Sequence, residues 1–421
     1  LFSEVIKDAN DIIRENIKDN KVIEMFHVCF EDTLLKTVKW LDDGTVFMVT
    51  GDIPAMWLRD SSCQLRPYLN FLGKSENLDS MVEGVIHRQF SYIIEDPYAN
   101  AFNETANGNR WDDDIPLQDP IVWERKYEID SLCYPFQLAY QYWKYTGKTN
   151  IFTDKFREVA TTVISLWKVE QNHHKFSTYR FQRPGRKMLI NNGSGSPVGY
   201  TGMTWSGFRP SDDACKYHYL IPSNLFAIRV LDIISTISEE VLKDPILKKA
   251  ADNLRGEITL GVNTYGILEN GDGQKMYAYE VNGLGDHLLM DDSNMPSLLS
   301  LPMLTNISKD DEIYLNTRKF ILSNNNPFYY EGARAVGVGS PHTPAGNVWP
   351  IAIAVEGITD VCMDKKWEKI KLISNNDANT NQVHESFNPN NPFEYTREWF
   401  SWGNAMFCEL VLNYCGYEVI H

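Results

Sequence analysis

The sequence predicts an all-α fold, an (α/α)6 toroid in which six inner helices are wrapped by an outer ring. Three observations carry it. Two kinds of helical segment alternate strictly along the chain, six of each kind occur, and each inner segment is entered through a polar, aromatic or charged cluster.

The outer kind is amphipathic. Leu78, Met81, Val82, Val85, Ile86, Phe90 and Ile93 recur at helical spacing between polar neighbours, the pattern of a helix with one buried face. Similar segments occupy residues 3–38 (long enough for two helices), 152–170, 238–262, 308–322 and 362–373. The inner kind is apolar on most sides, as a fully buried helix must be: residues 61–72, 131–143, 214–234, 297–304, 348–355 and 400–414. Pro67, Pro135 and Pro222 fall inside these segments, so kinks or shifted boundaries are expected there. Strand-like alternation is confined to loops.

A chain of 421 residues, 43% of them apolar, can bury a large core. No linker-like or low-complexity stretch divides it, so one catalytic domain over 1–421 is expected. The formal charge of −16 comes without a cluster of Lys and Arg, which excludes nucleic acid and anionic membrane surfaces as natural partners. No apolar run approaches the ~20 residues of a membrane span. The seven cysteines are scattered without a CxxC pair, favouring free thiols in a reducing compartment. Residues 1–20 alternate charge with apolar side chains, unlike a signal peptide. A cytoplasmic location is therefore expected, although a chain starting at Leu leaves a removed leader open.

The clusters preceding the inner segments run Trp57-Leu58-Arg59-Asp60, residues 123–130, residues 205–213, Met290-Asp291-Asp292-Ser293-Asn294, Ser340-Pro341-His342-Thr343 and residues 397–402. Inner helices that all run the same way bring these clusters to one mouth. Aromatic faces pack on pyranose C–H groups, while carboxylates and guanidiniums share paired hydrogen bonds with vicinal hydroxyls. Two carboxyls facing a glycosidic bond can cleave it. Asp60, Asp130, Asp212, Asp213, Asp291, Asp292 and Glu385 are the candidates. A bland reading competes for each: Ser211-Asp212-Asp213-Ala214 also makes a good helix start, the other Asp residues could cap helices, and Arg59–Asp60 and Arg397–Glu398 could be structural ion pairs. Six clusters in phase favour a site.

The nine His residues are dispersed, and His384-Glu385 lacks the second His of a zinc helix. Asp112–Asp114 and Asp291–Asp292 lack the spacing of a calcium loop. Neither a phosphate-cradling glycine motif nor a G-x-S-x-G elbow occurs. The expected site uses no metal and no cofactor.

The rim motifs resemble those of glycoside hydrolase family 125. The similarity lies in residues 50–61 (TGDIPAMWLRDS), 123–134 (WERKYEIDSLCY), 201–214 (TGMTWSGFRPSDDA), 219–224 (YLIPSN), 290–299, Ser340 to Thr343, His384-Glu385-Ser386-Phe387 and 397–402, and so covers nearly the whole chain. The resemblance implies an inverting, metal-independent exo-α-1,6-mannosidase acting on α-mannoside oligosaccharides or N-glycan fragments. It implies Asp212 as general acid and Glu385 as general base. Asp52, Trp57, Arg59, Asp60, Glu124, Arg125, Asp130, Trp205, Arg209, Asp213, Asp292, His342, His384 and Trp402 would bind substrate. Burial and the neighbouring Asp213 would help keep Asp212 protonated, while the dipole of a helix beginning there would oppose them. One departure stands out: where the family often has a Gly-Thr-Gly-like turn, this chain reads Asn379-Thr380-Asn381-Gln382-Val383, which puts the placement of the attacking water in question. Helical toroids also host glycoside phosphorylases and epimerases, and a toroid could bind carbohydrate without cleaving it.

Overall fold

The structure, a computed structural model, describes residues 1–421. Two rings of helices alternate along the chain. Outer helices span Ser3–Asn16 with Asn20–Asp32, Glu76–Glu95, Asp154–Glu170, Pro245–Gly261, Glu312–Ile321 and Met363–Ser374. Each buries one apolar stripe; Glu76–Glu95, for example, turns Leu78, Met81, Val82, Val85, Ile86 and Ile93 inward. Several begin at residues that cap by chemistry: Asp19, Ser75, Asp244 and Asp311 each accept backbone N–H groups of the first turn.

The inner helices are Leu58–Cys63, Ile129–Thr146, Ile221–Ile237, Leu301–Leu304, Pro350–Thr359 and Ser401–Tyr414. Proline sets several of their limits. Pro67 opens a separate 3-10 turn, Arg66–Phe71, that continues the first inner segment. Pro222 and Pro302 sit in first turns, where the missing N–H has no intrahelical acceptor to lose. Pro135 lies within Ile129–Thr146, which continues past it. A core of 109 buried residues joins both rings from Phe2 to Leu412, driven by removal of apolar surface from water.

Six antiparallel sheets of two or three short strands lie in the connections. Met56–Trp57 pairs with Ala101–Phe102, which pairs with Val122–Glu124. Tyr219–Leu220 pairs with Glu280–Val281, flanked by His287–Leu288. The hairpin Ser386–Asn388 with Asn391–Thr396 follows Glu385. These sheets fix the polypeptide just ahead of the inner helices, and so fix the rim.

The third inner helix corrects the expectation of a helix opening at Ser211–Ala214. It starts at Ile221. Residues 208–214 instead form a tight excursion closed by a bridge between Phe208 and Ala214, with Asp212 N donating to Arg209 O at 2.8 Å and Arg209 N to Asp213 O at 2.8 Å. Pro210 takes the second position of that turn, where its fixed φ is favourable. Asp212 has φ 67°, left-handed backbone that Asp tolerates better than most residues. No helix dipole therefore acts on Asp212 from its own segment.

Candidate active site

A cleft of about 520 Å3 is lined by the starts of three inner helices, at Trp57–Asp60, Trp349 and Phe400–Trp402, and by the segments ahead of the other three, at Lys126, Pro210–Asp212 and Asn294. Its volume is within the usual size range of small-ligand sites. No capping side chain occupies the inner-helix starts; the residues before them are Trp57, Glu128, Leu220, Ser300, Trp349 and Phe400.

Arg59 organises the floor. Its Nη1 donates to Glu128 Oε2 at 2.6 Å and Asp130 Oδ2 at 3.2 Å, and its Nη2 to Asp212 Oδ1 at 3.0 Å. Its Nε lies 3.4 Å from Asp60 Oδ1, and the guanidinium stacks 5.7 Å from the Trp402 ring. One buried cation thus faces four carboxyl groups. Burial pushes Asp60 and Asp130 up to about 6 against the pull of Arg59, and it pushes Glu128 well above the carboxylate range. Burial acts on Asp212 in the same sense, yet Arg59, a hydrogen bond with Glu128, Lys126 and His342 together hold its carboxyl below the ordinary value. The balance that the sequence left open at Asp212 is thus tipped by its closest cation, Arg59, rather than by a helix dipole.

Glu385 lines the same cleft. Its backbone N–H donates to Thr396 O at 3.2 Å, and its Oε1 lies 3.8 Å from Arg397 Nη1. Arg397 does not pair with Glu398; it donates from Nε and Nη2 to Asp52 Oδ1 at 2.9 and 2.5 Å. Gly51 permits this meeting. Its φ is +125°, and a Cβ there would lie 2.5 Å from Trp399 O, so only glycine lets the two chain segments approach.

His384 stands behind Glu385. Its ring stacks 3.7 Å from that of Tyr395, with Nδ1 against the carbonyls of Arg397 and Glu398 at 3.2 and 3.1 Å and Nε2 against Thr380 Oγ1 at 3.1 Å. Burial lowers its pKa, so a neutral ring donating from Nδ1 and accepting at Nε2 fits these partners. The preceding loop is anchored. Asp377 accepts the N–H groups of Asn379 and Asn381 and the ammonium of Lys21, which also donates to Asn381 Oδ1 at 2.6 Å. Asn379 and Asn381 have φ of 60° and 56°, conformations that glycine adopts freely and Asn next most readily. The departure from a Gly-Thr-Gly-like turn therefore keeps a backbone shape of the kind glycine would give.

Of the residues expected at the site, Asp52, Trp57, Arg59, Asp60, Asp212, His342, Glu385 and Trp402 line the cleft. The others stand behind or beside it. Asp130 backs Arg59. Glu124 is buried between Arg183 and Asn100. Arg125 turns away to Asp96 at 2.5 Å and packs over Tyr98 and Tyr179. Trp205 is core, its ring between those of His173 and His218. Arg209 is held by Glu280 at 2.6 Å. Asp213 pairs with His342 Nδ1 at 3.4 Å. Asp292 is tied to Asn294, and Asp291 accepts the N–H groups of Leu298 and Leu299; both acids serve local turns.

Lys126, Asn294, Arg397 and Phe400, members of the rim clusters that were given no individual role, also line the cleft, while Trp111, Asp112, Arg183, Arg186 and Trp349 escaped sequence reasoning. Most sit in loops, where periodicity is silent. The acidic run Asp112–Asp114 faces a guanidinium, with Arg183 bidentate on Asp114 at 2.6 and 2.9 Å. No group of three or more His, Cys, Asp or Glu is arranged to hold a metal ion.

The family model of the metal-independent alpha-mannosidases of glycoside hydrolase family 125 matches residues 19–412. The chain belongs to this family. Among the activities that helical toroids host, membership selects the hydrolase. A family 125 relative of known structure, a metal-independent alpha-mannosidase of Streptococcus pneumoniae in a non-productive complex with alpha-1,6-mannobiose, is 44% identical, with 99% of each chain covered and a TM-score of 0.96. The Meiotically up-regulated gene 157 protein of Schizosaccharomyces pombe is 35% identical over 98% of this chain and 86% of its own length. A glucoamylase from Saccharomycopsis fibuligera is similar at 11% identity and a TM-score of 0.60, over 93% of this chain and 94% of its own; that likeness concerns the toroidal fold alone. No helix of this family 125 chain is long and apolar enough to cross a membrane, and all seven cysteines are free.

Proposed function

We propose that the chain is a single-domain, inverting exo-α-1,6-mannosidase that removes terminal mannose from α-mannosides or N-glycan fragments. Asp212 is its general acid and Glu385 its general base. The observation that carries this reading is that these two carboxyls line one cleft, each held by its own arginine, Arg59 and Arg397. The α-1,6 linkage is favoured by the bound disaccharide of the Streptococcus pneumoniae relative.

In this mechanism Asp212 gives its proton to the glycosidic oxygen as the C1–O bond breaks. Glu385 takes a proton from water as that water bonds C1 from the opposite face. One proton leaves the acid and one reaches the base, and exchange with solvent resets both. Trp57 and Trp402 present apolar faces to the ring, while Asp60 and Arg59 bind hydroxyls. Proton NMR during digestion of α-1,6-mannobiose tests the reading: β-mannose must appear first, and α-mannose first refutes inversion. Asp212→Ala and Glu385→Ala must each nearly abolish turnover while leaving the fold intact; near-normal turnover in both removes the assignment.

A further inference from the structure

We infer that Glu128 is a positioning residue that holds the proton used by Asp212, so that the acid of the reaction is a Glu128–Asp212 pair rather than one side chain. The inference rests on the reading of Asp212 as the general acid, and it answers a problem which that reading raises. Asp212 Oδ1 accepts from Arg59 Nη2 at 3.0 Å and from Asn100 Nδ2 at 3.4 Å. Such donors favour an ionised carboxylate, which has no proton to give.

Glu128 stands where a stored proton would be needed. Its Oε2 accepts from the same guanidinium at 2.6 Å and from Ser131 Oγ at 3.1 Å, and its Oε1 accepts from the same Asn100 amide at 3.4 Å. Arg59 and Asn100 therefore each bridge the two carboxyls, and hydrogen bonding between them raises Glu128 while lowering Asp212. The shared donors favour ionisation of both carboxyls, but the Glu128 side chain has no solvent exposure whereas 18% of the Asp212 side chain is open to the cleft. Burial therefore outweighs the donors at Glu128 and not at Asp212.

The charged surroundings leave room for a proton. Glu128 precedes the helix Ile129–Thr146, which contributes Asp130, and the facing helix Leu58–Cys63 contributes Arg59 and Asp60. The strand Val122–Glu124 and the residues after it bring Glu124 and Lys126, which pair with each other at 3.5 Å, while Arg183 is shared between Asp114 and Glu124. His342 acts on Asp212 from the rim. Arg59 is the one cation in direct contact with Glu128, Asp130, Asp212 and Asp60. Lys126 and His342 act on Asp212, and Arg397 on Asp60, from farther away, so four buried charges around one guanidinium are too costly to coexist. At least one of these carboxyls is neutral. Burial makes Glu128 bind a proton more tightly than an ordinary carboxyl.

The step balances. The neutral Glu128 carboxyl passes its proton to Asp212, leaving Glu128 ionised against Arg59. Asp212 then passes that proton to the leaving oxygen while Glu385 accepts one from the attacking water.

Leaving-group dependence tests the inference in the full-length enzyme. A dinitrophenyl α-mannoside departs without protonation, whereas α-1,6-mannobiose does not. Glu128→Gln keeps the size of the side chain, and its amide oxygen can still accept from Arg59, but it carries no transferable proton. Its kcat on mannobiose is expected to fall about 10²-fold, the scale of general-acid assistance, with a much smaller fall on the dinitrophenyl substrate. The high-pH limb of its kcat/KM profile is expected to move to lower pH. Asp212→Asn is the reference and must show the same substrate ratio. Should Glu128→Gln fail to fold, Glu128→Asp, which keeps a carboxyl one methylene short, is expected to show a weaker form of both effects. Equal losses on the two substrates, or an unmoved high-pH limb, overturn the role of Glu128 where Asp212→Asn shows the ratio. A flat ratio in Asp212→Asn itself overturns the assignment of the acid.

Discussion

Arg397 Nη1 lies 3.8 Å from Glu385 Oε1 while the same guanidinium grips Asp52 Oδ1 through Nε and Nη2. The arginine has left-handed backbone, φ 50°, and its guanidinium lies 4.6 Å from the Phe400 ring. Strained backbone held by surrounding contacts is a common feature of functional sites. Asp52 is thus a tether for Arg397, and Arg397 aims the Glu385 carboxylate.

Removing that aim predicts a defect in water activation. Arg397→Met keeps bulk over Phe400 but releases both acids. A displacement of the base by about 1 Å costs on the order of 10²-fold in rate, so kcat on α-1,6-mannobiose should fall by about that factor, with a smaller change in KM. Asp52→Asn, which leaves Arg397 present but less firmly held, should show a weaker effect of the same kind. Steady-state kinetics on both variants check it; a fall in Asp52→Asn exceeding that in Arg397→Met would contradict the tether.

His342 gives a pH signature. Burial lowers its pKa, but the Asp213 carboxylate at 3.4 Å, aided by Asp212 and Glu385, raises it to about 9. Because this lies above the ordinary value of about 6.5, the charged pair contributes its full stability below pH ~6.5 and loses it as pH rises through about 9. The His342 side chain is 37% exposed, so screening keeps that contribution small. The titration itself is the sharper readout. The His342 Cε1–H resonance should titrate near pH 9, and in Asp213→Asn its midpoint should move down toward the ordinary value. An unmoved midpoint would show that Asp213 does not set it.

The fold was legible wherever one helix face decides the pattern, as along Leu78–Ile93. It was illegible where distant contacts override a local rule. Ser211-Asp212-Asp213 satisfies the local grammar of a helix start, yet Asp212 is claimed by Arg59, 153 positions earlier, and the chain turns back as a tight loop. At the site, His342 and Trp402 were legible because each stands in a rim cluster. Trp205 was misplaced, since an indole stacked between two buried imidazoles has the same local sequence as one facing a sugar. Arg183 and Trp111 carry no periodic signal, and their position follows from loop packing alone.

The Asn379–Val383 loop yields a conformational prediction. Asn379 needs its left-handed backbone but makes no side-chain hydrogen bond; only its N–H is engaged, by Asp377. Asn379→Gly should therefore leave stability and kcat nearly unchanged. Asn379→Val should destabilise the fold by about 1–2 kcal/mol, the steric penalty of left-handed backbone, and should slow turnover by disturbing the approach to Glu385. Urea denaturation and kinetics on the pair check it. Equal stability of the two variants would mean that the loop has another accessible conformation.

Arg66 and Glu409 supply a last prediction, on what holds the inner ring together. Arg66 Nε and Nη2 donate to Glu409 Oε2 and Oε1 at 2.7 and 2.8 Å, joining the turn Arg66–Phe71 to the helix Ser401–Tyr414 with both side chains buried. The attraction of such a pair is largely cancelled by the cost of desolvating it, while removal of one partner strands the other charge. Arg66→Met alone should therefore lose about 3–5 kcal/mol. Adding Glu409→Leu should restore most of that loss, because two apolar side chains of similar volume need no water. Neither residue lines the cleft, so the double variant should keep its kcat. Urea midpoints at constant slope measure the first two outcomes. A double variant as unstable as the single would show that the ion pair sets helix register as well as neutralising charge.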